Sequence, residues 1–443
     1  MLLHTSASSS SSSSPGAAGM LEPLFQYIDD HQNQFVQVRN EHYYDILPGV
    51  GTHTYTLLLN CIIIQIYMFL CCSEVACLLS IGQLQQANVP WYYKCDNMRM
   101  KVAHGFGSLG NLYGRGATDN KGPVLAWLHA VESYQATEKE ILVNIKLIIE
   151  GLEEVGSYGL LELTRKRNDS FFADVDFIVI SDNVCATRTP ALTYGTRGSS
   201  YFFVEVDCPK LDFHPRVYGG SIQEPMSDLI ALLGSLLDHT GKILVPGVTD
   251  DVAPLTEDER KLYDNISFDL EEMKNNSRLV INCNPSLSIH GIQGAFSEPS
   301  TKTVPNMDPP DVERKVKEHL QQVFSTLKSP YRLRVTTTVG AKQWVANLKD
   351  PLYVAGQRAV REVFGVEPEL IREGSTIPIA QNFQEEMEPD VMMMPIGGHD
   401  DGEHSQNEKI SRYNYIEGTK LLADYFDEIS LLQKVQDIFP SKL

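Results

Sequence analysis

The sequence predicts an α/β fold interrupted by an inserted α+β unit, on three observations. From residue 111 to 184, apolar strands alternate with apolar helices. Acidic residues follow the strand ends: the run 141–149 leads into EGLEE, and the run 177–181 ends at Asp182. Open α/β sheets carry their chemistry at that edge. At Tyr201 the texture changes, because YFFVEVDC alternates like a half-exposed strand. Helical patterns at 222–238 and 310–327 follow, and RLRVTTTV (332–339) reads as another strand. The segments 351–364, 391–395 and 414–429 then return to the first style as helix, strand and terminal helix. A chain of 443 residues is also too long for one ordinary core. The boundaries implied are a tail over 1–19, a first catalytic-type part over 20–196, an inserted unit over 197–340 and a second catalytic-type part over 341–443.

Residues 1–19 are dominated by serine and have no apolar face to bury, so they are expected to lack structure. They also lack the charged start and continuous apolar core of a signal peptide. Leu24, Phe25, Ile28, Phe35 and Val36 then recur at helical spacing over 21–39. The region 45–110 is atypical. Its stretch TLLLNCIIIQIYMFLCCSEVACLLSI (56–81) is apolar from Leu57 to Cys72 except for Asn60 and Gln65. That is short for a spanning helix, which needs roughly 20 apolar residues. It reads as a membrane segment, a buried strand pair or sequence foreign to the fold, and the last is preferred. A glycine turn at Gly114 and Gly116 precedes an apolar helix over 124–134. A strand (141–149), a carboxylate-bearing turn, a helix through Leu163 and a strand ending at Asp182 complete the first part.

The charge balance excludes one class of partner. With 37 Lys and Arg against 57 Asp and Glu, and no basic run, no nucleic acid is expected to bind. The eight cysteines form no CxxC pair, so they build neither a disulfide framework nor a thiolate zinc site. That usage fits a reducing compartment.

Four phrases carry chemistry. In EGLEEVGS, two adjacent glutamates after an apolar strand point in different directions, so one can bind a metal while the other moves a proton. A surface Glu-Glu pair is the plain alternative. In YGRGATDNKGP, glycines 114, 116 and 122 permit a tight path that holds Asp119 at a strand-to-helix junction, without the spacing of a phosphate loop. Asp182 ends a buried strand, where a metal would offset the cost of its charge; capping the next helix is an equal alternative. His404 lies in GGHDDGEHSQNEK, where His399, Asp400, Asp401 and Glu403 either support the ligands or form a polar loop.

Together these phrases resemble the di-metal aminoacylase/carboxypeptidase peptidases, and most closely the cytosolic non-specific dipeptidase (carnosine dipeptidase) group. YGGSIQEPMSDLIALLGSLLD (218–238) and SRYNYIEGTKLLADY (411–425) also look like that group. The resemblance implies a zinc-exopeptidase-like catalytic domain split by a lid domain that mediates dimerisation. It implies two Zn2+ or Mn2+ ions per subunit, a dipeptide or short peptide substrate, a homodimer and a cytoplasmic location without a membrane anchor. Carried over residue by residue, Glu153 is the general base that takes a proton from metal-activated water. Asp119 bridges the metals, with Asn120 where the group often has a second aspartate. Glu154, Asp182 and His404 are the remaining ligands. His399 stands where the group has a smaller residue and is assigned no metal. His214, in LDFHPRVYGG, matches a histidine that reaches the partner's site, although Pro215-Arg216 replace the usual Ser-Gly. REGSTIP matches a loop that contacts the substrate carboxylate through Ser375 or Thr376.

Three departures stand against these matches. The group's first phrase, His-x-Asp before the glycine turn, is absent from 45–110; His53 and His104 lie at the wrong spacing. VPNM (304–307) follows Thr303 at once, where the group first has a strand bearing a carboxylate-gripping arginine. A shorter gap lies near 278–284. The combination reads as a splice variant, a faulty gene assembly or a decaying copy. One metal site (Asp119, Glu154, His404) keeps its full set, and the other keeps Asp119 and Asp182 without its histidine. The expectation is therefore a metallo-dipeptidase or, as the alternative, an impaired relative that dimerises and keeps at most one complete metal site.

Overall fold

A computed structural model describes residues 2–5, 18–36, 62–71, 76–83, 101–103, 110–114, 116–150, 153, 157–185, 188–207, 223–250, 252, 256–264, 266, 287–289, 301–303, 308–374, 377–387, 390–405 and 407–438. In chain order the first part comprises β1 (Leu2–Thr5), α1 (Ala18–Val36), β2 (Ile62–Cys71), β3 (Ala76–Gln83), β4 (Lys101–Ala103), β5 (Asn111–Tyr113), α2 (Lys121–Ala136), β6 (Asn144–Glu150), α3 (Leu160–Arg167), β7 (Phe177–Ile180) and β8 (Ala191–Thr196). The insert carries β9 (Ser199–Asp207), α4 (Pro225–Gly234), α5 (Glu257–Asp264), β10 (Leu287–Ile289), β11 (Thr301–Thr303), α6 (Pro309–Leu327) and β12 (Arg332–Ala341). The chain returns through β13 (Trp344–Val345), α7 (Pro351–Phe364), β14 (Glu369–Arg372), α8 (Pro378–Glu386), β15 (Asp390–Met393), β16 (Lys409–Ser411) and α9 (Arg412–Ile438).

Among the described residues, the main sheet runs β1-β6-β3-β2-β7-β15-β8-β13, with β14 on β8. β7 and β15 are parallel, with Met393 opposite Ile180. β2 is antiparallel to both β6 and β7, so those two strands share a direction. The strands β6, β7 and β15 therefore deliver their C-terminal ends to one edge. β7 is FIVI, a continuous apolar run, because helices cover both faces of the sheet there.

The sequence explains the layers. Leu21, Leu24, Ile28 and Phe35 give α1 one buried stripe, and Phe35 stacks on the His129 ring of α2 at 3.9 Å between centroids. α2 is buried along nearly its whole length, and apolar residues cover most of its faces. Its His129 is pushed down to about 3 by burial and is neutral. Its ring shares a 3.0 Å hydrogen bond with the Tyr415 hydroxyl. The insert has its own core, built from Phe202 and Val204 of β9, Leu232 and Leu233 of α4, and Val312, Val316 and Leu320 of α6. The fold is thus an α/β body with an α+β lid.

One segment differs from the sequence reading, and another follows one of its three alternatives. Residues 2–5, expected to lack structure, form β1 on the edge of β6; LLHT has no serine and covers an otherwise open strand edge. The apolar stretch forms the strand pair β2–β3 between β6 and β7. A β-branched and aromatic run such as IIIQIYMFLC suits a sheet interior. Among the described residues, no helix is long and apolar enough to cross a membrane.

Asp350 opens α7, its side chain accepting the Leu352 N–H at 2.8 Å. Burial, followed by a hydrogen bond to Asp390, raises its carboxyl to about 7. An unfolded aspartate ionises near ~4. The native state therefore holds a proton across that interval which the unfolded chain releases. The stability this contributes is full below about pH 4 and is lost as pH rises through about 7. Asp350→Asn keeps a capping oxygen and removes the titration. Denaturant melts at about pH 4, 6 and 8 should show the variant losing less stability than the wild type across this range. Parallel curves would exclude Asp350 as the titrating group.

Candidate active site

The turn between β5 and α2 is built before any ligand is considered. Gly116 takes φ +79, a left-handed conformation that glycine adopts without strain. Gly122 must also lack a side chain, because a Cβ there would lie 2.2 Å from the Ala117 carbonyl oxygen. The Asp119–Asn120 peptide is cis. The turn is then held from the far end of the chain. Glu408, which is 3% exposed, accepts the N–H of Gly116 at 2.8 Å, of Thr118 at 3.1 Å and of Asp119 at 3.0 Å. Asp401, which is 1% exposed, accepts the Thr118 hydroxyl at 3.0 Å, the Gly398 N–H at 2.6 Å and the Lys409 ammonium at 2.9 Å.

With both turns fixed, His404 Nε2 lies 2.7 Å from Asp119 Oδ2. Asp119 is nearly buried, whereas the His404 side chain is 53% exposed. Asp182 follows β7 and is placed by its neighbours. The Met394 N–H donates to Ile180, the Trp127 indole donates to Ser181 Oγ at 3.0 Å, and the Cys185 N–H donates to the Gly397 carbonyl at 2.9 Å. Burial, then the charges of Asp119, Glu153 and Glu403, raise the Asp182 carboxyl well above the ordinary range; the Asn183 N–H partly offsets this. Glu403 is pushed up to about 8 by burial and by Asp119, Glu373 and Glu408, against a smaller opposing effect of His404. Burial and the charge of Glu153 also raise the Tyr201 hydroxyl.

Asp119, His404, Asp182 and Glu153 therefore gather at the C-terminal edge of the sheet. Glu154, His214, Ser375 and Thr376 lie outside the described residues. Among the described residues, no group of three His, Cys, Asp or Glu side chains stands in position to hold a metal ion. Glu154 is not among those residues. The donor chemistry fits a divalent cation: the charges of Asp119, Glu153 and Glu403 raise the buried Asp182 carboxyl, an imidazole stands beside Asp119, and a positive charge among them would relieve the repulsion.

The principal residue missed in the sequence is Glu408. It lies within the NEK triplet just after His404, but its partners are backbone amides nearly 300 positions earlier, and no spacing rule reports those. Asp401, left between support and polar loop, is a buried support of Thr118. The acidic tip Asp400 pairs with Lys409 at 3.0 Å.

Comparison with known proteins places the chain in a family. The sequence profile of peptidase family M20/M25/M40 matches residues 97–428. The chain is 53% identical over 351 residues to the Homo sapiens Beta-Ala-His dipeptidase, covering 73% of this chain and 69% of that protein. It is 37% identical over 349 residues to the Cys-Gly metallodipeptidase of Schizosaccharomyces pombe, covering 72% and 73%. The crystal structure of human carnosine dipeptidase 1 superposes with a TM-score of 0.77 at 41% identity, over 94% of this chain and 100% of that one. The dipeptidase Dug1p from Saccharomyces cerevisiae gives 0.76 at 29% identity, over 94% and 99%.

Gly122→Ala should displace the Asp119 turn, since the added methyl meets backbone rather than a flexible side chain. The expected cost is about 1–3 kcal/mol of stability, as for other overpacked sites. Thermal melting checks it, and an unchanged melting temperature would show that the turn adapts.

Proposed function

We propose that this chain, which belongs to peptidase family M20/M25/M40, is a metal-dependent dipeptidase whose general base is Glu153. The observation that carries the reading is the convergence of Asp119, His404, Asp182 and Glu153 on one sheet edge. Asp119, His404 and Glu154 would hold one divalent ion, zinc or manganese, and Asp119 with Asp182 would contribute to a second. The ions, when bound, supply Lewis acidity that lowers the pKa of water and polarises a peptide carbonyl. Glu153 then takes the proton from the attacking water and delivers it to the leaving amine. Its carboxylate is close enough to Asp182 and Tyr201 for its charge to act on both. His214 from a second subunit would face the carbonyl oxygen, and Ser375 or Thr376 the substrate carboxylate. The relatives named above support dipeptides as the substrate class; a homodimer formed through the lid and a cytoplasmic location belong to the same reading.

A second reading, an impaired relative, is favoured by one specific observation. β2 pairs with the ends of β6 and β7, with Gln65 opposite Glu150 and Tyr67 opposite Ile180. The residues it brings to the site edge are therefore Ile62–Gln65, which include no histidine or aspartate. Among the described residues, a second metal there would have Asp119 and Asp182 as its protein ligands.

Glu153→Gln should lower dipeptide turnover by at least about 100-fold while the melting temperature holds. Turnover above a tenth of the wild-type rate would remove Glu153 from the base role. Zinc titration of the purified protein should show one tight and one weak site, since a catalytic zinc is ordinarily held by three protein ligands. Two equally tight sites would count against the impaired second site.

A further inference from the structure

We propose that Glu408 is the positioning residue of this active site: its buried carboxylate sets the turn that presents Asp119 to His404. The inference rests on the metallopeptidase reading above and adds a residue that contacts neither metal nor substrate.

The two oxygens of Glu408 are used differently. Oε2 accepts the Gly116 N–H, and Oε1 accepts those of Thr118 and Asp119. Charge-assisted bonds of this kind are the strong ones, and a buried carboxylate without them would be costly. The Glu408 main chain also takes part, its carbonyl accepting the Gly114 N–H at 3.0 Å. Immediately after it, β16 pairs with β5, with Lys409 opposite Tyr113. Glu408 is therefore held by a strand register on one side while it fixes a turn on the other. His404 lies four residues before it, so one short segment both carries the imidazole and grips the backbone of the aspartate it must meet.

A second brace shows what Glu408 does that a general support does not. Asp401 reaches the same turn, but through the Thr118 hydroxyl, while the Gly398 N–H it also accepts belongs to its own loop. Glu408 alone among the described side chains accepts the Asp119 amide itself. Movement of that amide shifts Asp119 Oδ2 relative to His404 Nε2. A 2.7 Å contact has little tolerance for such movement.

The test uses the full chain with zinc. Glu408→Gln keeps the shape but turns one acceptor oxygen into an NH2 donor facing a backbone N–H. Glu408→Asp keeps the charge and falls one methylene short. Val316→Ala, in the separate core of the lid, is the control for destabilisation alone. Zinc affinity is measured by competition with a chromophoric chelator, and kcat and KM on a dipeptide at saturating zinc. The expectation is a zinc affinity roughly 10- to 100-fold weaker in Glu408→Gln, the loss typical of residues that orient metal ligands, and a smaller loss in the same direction in Glu408→Asp. The fall in activity should lie in kcat, with KM within about twofold. Val316→Ala should bind zinc like the wild type although it melts earlier. The inference is overturned if either Glu408 variant binds zinc as the wild type does, or if Val316→Ala loses affinity equally. Wild-type protein that takes up no zinc would instead overturn the metallopeptidase reading itself.

Discussion

Negative charge that the protein concentrates at one edge of its sheet is the constraint from which the other features of the site follow. The charges of Asp119, Glu153 and Glu403 all raise the buried Asp182 carboxyl, and that of Asp119 also raises Glu403. The nearby Lys409 does not relieve them, because its ammonium is engaged by Asp400 and Asp401. Such a cluster resists its own assembly unless the backbone carrying it is held rigidly or a cation joins it. The fold supplies the first condition through buried acceptors on the turns, and the second is the chemistry proposed for it.

The bracing also joins distant parts of the chain. Turn 116–120 belongs to the first part of the body and residues 397–411 to the second, with the whole lid between them. β5 pairs with β16, α2 packs against α9, and the Tyr134 hydroxyl donates to the Ala423 carbonyl. The site is consequently a property of the closed body, with no local segment holding it complete. That is consistent with α2 being buried along nearly its whole length, since it is wedged between the sheet, α1 and α9.

Much of this was legible in the sequence because it follows from periodicity and from residue types with narrow chemistry. The strand runs 144–150 and 177–180 announce themselves by apolar composition, and the lid by the alternation of YFFVEVD. Asp119 among its glycines and His404 in its turn stand out because few other roles suit those patterns. Glu408 was not legible: its function is acceptance from backbone N–H groups, which every sequence possesses. The apolar stretch 56–81 was ambiguous for a related reason. A continuous apolar run fits a sheet interior, a membrane and misplaced sequence equally well, and the choice depends on which strands stand beside it. The first residues escaped because four extended residues on a sheet edge need no periodic signal at all.

The way the lid joins the body has a further consequence. β9 leaves the body and β12 returns to it as antiparallel neighbours, with Ser199 opposite Ala341. Residues facing each other in such a pair stand about 5 Å apart. The intervening 141 positions (200 to 340) thus begin and end at nearly one point. To the body they are a graft whose two ends meet at one place, tied down a second time where Glu259 of α5 accepts from the Tyr194 hydroxyl and pairs with Arg372 of β14. Such a module can gain or lose pieces away from those two attachments while the chemistry-bearing scaffold keeps its shape.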